Sequence, residues 1–128
     1  MSAISIPLTK NHRVAAKDVV TSASISSIEV ASLTHAGLIR EDNQDAVQIC
    51  AWDEQISAHK GYLYALADGM GGYEHGGIAS VLALQTLFDS FYHNPEGNLT
   101  QNLRAGIGEA NWSVFQTAQD LKVRMGTT

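Results

Sequence analysis

The sequence predicts an α+β chain. Two kinds of segment point there: three short stretches of strand character in the first two thirds, then two long stretches with apolar residues every three or four positions. The composition agrees, since 128 residues that are 45% hydrophobic and 16% charged suit one globular domain. No apolar run is long enough for a membrane-spanning helix. Eight basic and thirteen acidic residues give a formal net charge of −5. Lys10, Lys17, Lys60, Arg104, Lys122 and Arg124 are scattered, so the concentrated positive patch of a nucleic-acid surface is not expected. Cys50 is the single cysteine, which excludes an internal disulfide and a zinc cage of several thiolates, and fits a reducing, cytoplasmic setting.

Residues 1–25 are rich in Ser, Thr and Ala without a sustained period. Ser5, Pro7, Thr9 and Lys10 interrupt any secretory-type apolar stretch. The segment reads as a flexible leader, with a peripheral strand as the alternative. Order is expected from about Ile28, where Ile28, Val30 and Ser32 alternate with Glu29, Ala31 and Leu33 until Gly37 breaks the pattern. Ala46 to Trp52 is a second strand candidate with Val47 and Ile49 on one face. Asp53 to Lys60 reads as a loop. Tyr62 to Ala67 is apolar at every position, the pattern of a strand buried between two layers. It stops at Asp68-Gly-Met-Gly-Gly72, which is too rich in glycine for regular structure.

A helix is expected over Glu74 to Tyr92, with Ile78, Val81, Leu84, Leu87, Phe88 and Phe91 as its apolar stripe. Asn94-Pro-Glu-Gly97 ends it. Thr100 is a candidate cap for a second helix reaching Leu121, with a stripe of Leu103, Ile107, Ala110, Val114, Ala118 and Leu121. Gly106 and Gly108 weaken that helix by up to about 1 kcal/mol each, so packing must hold it. Trp112 and Phe115 are expected to pack. Met125-Gly-Thr-Thr128 looks like the start of another strand.

Two clusters carry chemistry: Arg40-Glu-Asp-Asn-Gln-Asp45 and Asp68-Gly-Met-Gly-Gly72. Glu41 and Asp42 read as a solvated face. Asp68 closes a strand that reads as enclosed, where an isolated carboxylate is costly unless backbone donors, a basic partner or a metal compensates. Gly69 lacks a side chain, so its carbonyl can approach a cation, and Mg²⁺ and Mn²⁺ prefer such hard oxygen donors. Asp45, between two strand candidates, can be brought beside Asp68. Arg40 offers a planar fork for a phosphate. His12, His35, His59 and His93 form no metal-ligand spacing, and His75 reads as an exposed residue at helix entry. Ser32, Thr34 and Ser80 lack a nucleophile's partner signature.

Gly37-Leu-Ile-Arg40 through Asp45-Ala46, then Tyr64-Ala-Leu-Ala-Asp68-Gly-Met-Gly-Gly72 and Gly76-Gly-Ile-Ala79-Ser80, resemble the protein phosphatase 2C family, its bacterial-type members above all. The resemblance covers roughly Ile28 to Thr128. It implies the amino-terminal half of an αββα sandwich, two central antiparallel sheets flanked by helices, incomplete in this chain. It implies hydrolysis of phosphoserine and phosphothreonine proteins with two Mn²⁺ or Mg²⁺ ions, in possible opposition to a cognate Ser/Thr kinase, with no nucleic-acid or membrane partner. Asp68 would bridge the metals, Gly69 would lend its carbonyl, Asp45 would hold metal-bound waters as an outer-shell acid, and Arg40 would grip the phosphate. A metal-acidified water would attack phosphorus in line.

Two positions depart from some relatives. Gln44 stands where some have Glu, so a metal contact there would be neutral. Met70 stands where some have His, and it cannot protonate a leaving alcohol. A whole domain of this family is much longer, and the further metal-binding aspartates would lie beyond Thr128. The chain therefore reads as a truncated phosphatase domain, probed by the nucleotide sequence past the last codon. The alternative is a catalytically dead short form that binds phosphoproteins or kinases. A third reading is an unrelated metal-dependent hydrolase that shares the Asp-Gly loop by chance.

Overall fold

The computed structural model describes residues 19–25, 28–50, 60–70, 75–94 and 97–128. The architecture is α+β. Four strands, β1 (Val19–Ile25), β2 (Ile28–Thr34), β3 (Asp45–Cys50) and β4 (Leu63–Asp68), precede two helices, α1 (Gly76–His93) and α2 (Leu99–Leu121). The strands form two antiparallel pairs, β1 with β2 and β3 with β4. Pairing of β1 runs from Val19 opposite Thr34 to Ile25 opposite Ile28, so regular structure starts before the expected Ile28. The expected Asp53–Lys60 loop lies outside the described residues except for Lys60.

The register of β3 on β4 runs from Asp45 opposite Asp68 to Cys50 opposite Leu63. Side chains alternate across a strand, so Ala46, Ala65 and Ala67 share the inner face. There they pack with Leu84 and Val81 of α1. Three alanines keep that face shallow and let the helix lie close. Farther along, Phe88, Phe91 and Tyr92 form a second cluster against Leu63, Ala65 and Leu87. The Phe91 and Tyr92 rings meet edge to face at 5.0 Å, a favoured aromatic geometry. The Tyr92 hydroxyl accepts from the Leu63 amide at 2.9 Å and donates to the Gly61 carbonyl at 3.3 Å, tying α1 to the start of β4. Lys60 Nζ donates to the Phe91 and Asn94 carbonyls at the end of that helix, where a cation complements the helix dipole.

The enclosed β4 expected from its composition is corrected. Burial alternates along the strand, and on the outer face Tyr64 is 39% and Leu66 66% exposed. The alternation follows from α1 covering only one face of the pair. The rest of α1 matches its apolar stripe except for Ile78, which is exposed.

Two features of α2 also differ from expectation. Its cap is Asn98, not Thr100: Asn98 Oδ1 accepts from the Gln101 amide at 3.0 Å, and Gln101 Oε1 accepts from the Asn98 amide at 3.1 Å. This reciprocal capping box satisfies two otherwise orphaned donors. Its buried seam is Asn102, Gly106, Ala110, Val114 and Ala118, a strict four-residue repeat of mostly small side chains. A methyl at Gly106 would stand 3.1 Å from the Leu87 carbonyl of α1, so the helices approach through that narrow seam. The larger Leu103, Ile107 and Leu121 fall on exposed flanks. Trp112 and Phe115, expected to pack, are 60% and 50% exposed and lie 5.7 Å apart.

Helix α2 ends at Lys122, which is left-handed with φ 55° and ψ 40°. A side chain there costs roughly 1 kcal/mol relative to glycine. Lys122→Gly is therefore expected to raise stability by about 1 kcal/mol, read as an upward shift in the midpoint of urea unfolding. Beyond it, Gly126–Thr128 runs antiparallel beside the end of β4. The Met70 amide donates to the Gly126 carbonyl at 3.0 Å, and Asp68 and Thr128 exchange backbone hydrogen bonds of 2.8 and 2.9 Å. The expected start of a strand is thus present, bridged at Gly69 opposite Thr127. No helix among the described residues is long and apolar enough to cross a membrane.

Candidate metal centre

The Asp45–Asp68 pair stands at the mouth of the β3–β4 ladder, on the face that α1 leaves bare. The backbone decides how close the two carboxylates come. The amide and carbonyl of Asp68 are both committed to Thr128. The Asp45–Asp68 pair is therefore of the non-hydrogen-bonded antiparallel type, in which Cα atoms approach to about 4.5 Å and side chains are closest. The next pair is the hydrogen-bonded type, and the Gly69 amide donates to the Gln44 carbonyl at 3.1 Å.

Gly69 is buried beneath this junction. A methyl group on it would lie 2.6 Å from the Gln44 carbonyl oxygen and from the Gly76 carbonyl. The loop, β3 and the first turn of α1 therefore meet backbone to backbone. Gly76 completes the contact, since a methyl there would reach Gln44 Oε1 at 2.7 Å. The Ser80 hydroxyl, fully buried, donates to the Gln44 carbonyl at 2.6 Å. Ser80 thus fastens α1 to β3, in keeping with the absence of a nucleophile signature.

Electrostatics concentrate on Asp45. Its carboxyl is raised above the usual carboxylate range, first by burial, next by the charge of Asp68 and a side-chain hydrogen bond with it, while Arg40 pulls it back down. The desolvated acid is thus Asp45. Asp68, expected to be enclosed, is exposed, because β4 turns it to the uncovered face. Arg40 lies near enough to Asp45 for its charge to act there. Leu38 and Ile39, just before it, are fully exposed at the tip of the β2–β3 connection.

Folding protonates Asp45 more readily than unfolding does, so in the window above the ordinary carboxylate range the native state binds more protons. Stability should therefore fall as pH rises through that window. Asp45→Asn removes the penalty. Its unfolding midpoint should exceed that of the wild type at pH 7 by the equivalent of roughly 0.3 kcal/mol, the low end for like charges facing each other across strands once solvent screens them, and the two should converge as pH falls below the ordinary carboxylate range. Urea melts of both chains across pH 4 to 8 check this.

The two carboxylates facing each other across the ladder are hard-oxygen donors of the kind that Mg²⁺ and Mn²⁺ take. No group of three or more His, Cys, Asp or Glu residues suited to a metal occurs among the described residues.

Over 104 residues, 79% of this chain, the sequence is 33% identical to the Serine/threonine protein phosphatase PstP of Mycobacterium tuberculosis, in both strain CDC 1551 / Oshkosh and strain ATCC 25618 / H37Rv. The chain is a partial relative of the protein phosphatase 2C family. The match spans 18% of the length of PstP. No family profile matches the chain, and no solved structure does.

Of the positions that the 2C-type resemblance singles out, Asp45 and Asp68 face each other, Gly69 follows as a buried residue bonded to Gln44, and Arg40 acts on Asp45 from the preceding loop. Met70 extends along Gly126, where a methyl group would sit 2.6 Å from its Cε. His35 Nδ1 accepts from the Gly37 amide, and His93 Nδ1 pairs with the Asp89 carbonyl, both local backbone contacts. His75 is the half-buried residue before α1 and makes no side-chain cap. His12 and His59 lie outside the described residues. Sequence reading gave no role to Asn43, which is buried and holds the Asp45 amide. The signal was available: Asn two residues before a strand's first amide is a common Asx turn.

Proposed function

We propose that this chain is the amino-terminal part of a metal-dependent protein serine/threonine phosphatase that hydrolyses phosphomonoesters on phosphoserine and phosphothreonine proteins. The observation that carries the reading is the facing of Asp45 and Asp68 with Arg40 in their field, together with the similarity to PstP. Asp68 and the Gly69 carbonyl would hold a divalent cation, Mn²⁺ or Mg²⁺, and Asp45 would take hydrogen bonds from its waters. When bound, such cations neutralise phosphate charge and acidify water for in-line attack.

The chain's own residues do the rest. Arg40 presents a planar donor fork to the phosphoryl oxygens, leaving the ester oxygen to depart. Asp45, whose carboxyl is raised above the usual carboxylate range by burial and by Asp68, would accept hydrogen bonds from the waters of a bound cation. Met70 has no proton to give, so the leaving alcohol takes one from water or another residue. Serine/threonine kinases make the substrates of this chemistry, and the enzyme would act as their opponent in a cytoplasmic setting.

The test is hydrolysis of a phosphoserine peptide with Mn²⁺ by the protein translated through the downstream reading frame. Arg40→Ala should raise KM on the order of 10-fold, about 1.4 kcal/mol of phosphate binding, with kcat changed much less. An unchanged KM with a collapsed kcat would assign Arg40 a different role. A stop codon with no downstream homology and no hydrolysis would remove the reading.

A further inference from the structure

Asp45 opens β3 with its amide pointing away from β4, because its pairing with Asp68 is of the non-hydrogen-bonded type. On that side no strand supplies an acceptor to β3 among the described pairings. A backbone donor in this position needs a partner. Asn43 provides it: Oδ1 accepts from the Asp45 amide at 3.1 Å. The same amide group donates through Nδ2 to Thr34 Oγ1 at 2.7 Å. Asn43 is 6% and Thr34 7% exposed. The chain of contacts therefore runs from the last residue of β2, through two buried side chains, to the first backbone amide of β3. The two bonds also fix the amide's orientation, since only Oδ1 can face an N–H donor.

We propose that Asn43, anchored by Thr34, is a positioning residue that sets the Asp45 carboxyl against Asp68 for cation binding. The inference rests on the metal reading of the preceding subsection. Without Asn43 the Asp45 amide loses its acceptor, and the first residue of β3 is free to fray from the ladder. Asp68 would stay in place, because Thr128 and the Thr127 hydroxyl, 2.8 Å from the Asp68 carbonyl, hold it independently. The carboxylate pair would then lose its geometry through Asp45 alone. Outer residues that orient metal ligands typically matter by 10- to 100-fold in affinity, and Asn43 acts one step farther out, through Asp45, so the lower end of that range applies.

The experiment compares wild type, Asn43→Ala, Thr34→Val and Thr34→Ser in the protein translated through the downstream reading frame, by amide hydrogen exchange without metal and by calorimetric titration with MnCl₂. Thr34→Val keeps the shape of the side chain and removes only the hydroxyl, so it serves if Asn43→Ala fails to fold. In Thr34→Val the protection of the Asp45 amide should fall on the order of 10-fold while that of the Ala79 amide in α1 is unchanged. Its Mn²⁺ affinity should weaken on the order of 10-fold, and Thr34→Ser should restore both. A merely structural role would lower protection throughout the chain and leave Mn²⁺ affinity alone. Unchanged Asp45 protection and unchanged Mn²⁺ affinity in Thr34→Val would overturn the positioning role and leave the metal reading standing. A wild-type protein, extended through the downstream reading frame, that takes up no Mn²⁺ would overturn the metal reading, and this inference with it.

Discussion

Asp68→Ala is expected to abolish Mn²⁺ binding by the protein translated through the downstream reading frame. Wild-type protein at Mn²⁺ ten times its dissociation constant should gain about 1.4 kcal/mol of stability, seen as a rise in melting temperature that reverses on chelation. The variant should show no such rise, because the residue removed is the exposed member of the pair and the one that the 2C-type resemblance makes a shared ligand. Loss of a direct ligand should exceed the 10- to 100-fold effect of an outer residue. The metal-free variant should melt no lower than wild type, since removing Asp68 also relieves the charge that pushes the Asp45 carboxyl up. A manganese-dependent rise that survives in Asp68→Ala would remove Asp68 from the site. A metal-free variant that melts far below wild type would show that Asp68 holds structure instead.

Gly69→Ala is expected to be the most destabilising single-methyl change near the centre. A typical overpacked position costs 1 to 3 kcal/mol, and flexible neighbours usually absorb part of it. Here the atoms met at 2.6 Å are the Gln44 carbonyl oxygen and the backbone of Gly76, and neither can rotate away as a side chain can. A loss of about 3 kcal/mol is expected, read as a lower midpoint in urea unfolding followed by circular dichroism. Gly108→Ala is the control, because nothing lies within 4 Å of a methyl there. Within a helix that change should stabilise by up to about 1 kcal/mol. If Gly69→Ala melts like wild type, the loop can part from α1 at little cost, and the close approach described here does not hold the site.

The elements differ in how readily their sequences disclosed them. Helix α1 was legible because Leu84, Phe88 and Phe91 repeat on one stripe and bury as a group. The extent of α2 was equally plain, yet its buried side was misread. Hydropathy favours Leu103 and Ile107, whereas the contact with α1 selects the narrow line through Gly106 and Ala110. Periodicity reports that a helix has an apolar side; it does not report how close a neighbour must come. The same limit explains β4. Its six residues are apolar but for the final acid, and only the position of α1 on the Ala65–Ala67 face leaves Tyr64, Leu66 and Asp68 outward.

The residue types at the centre were readable from the chain itself: two acids, a glycine between strand and helix, and an arginine shortly before the first acid. Those types carry their chemistry wherever they sit, because charge, hydrogen-bonding capacity and the absence of a side chain are local properties. Which acid bears the burden of burial was a matter of tertiary structure. Register places Asp45 opposite Asp68, Thr128 claims the Asp68 backbone, and Asn43 takes the amide left over at Asp45. Each of these depends on residues distant in the chain or on the side of a strand that a neighbour covers. No local pattern encodes them, because the energies that decide them arise only when the layers meet.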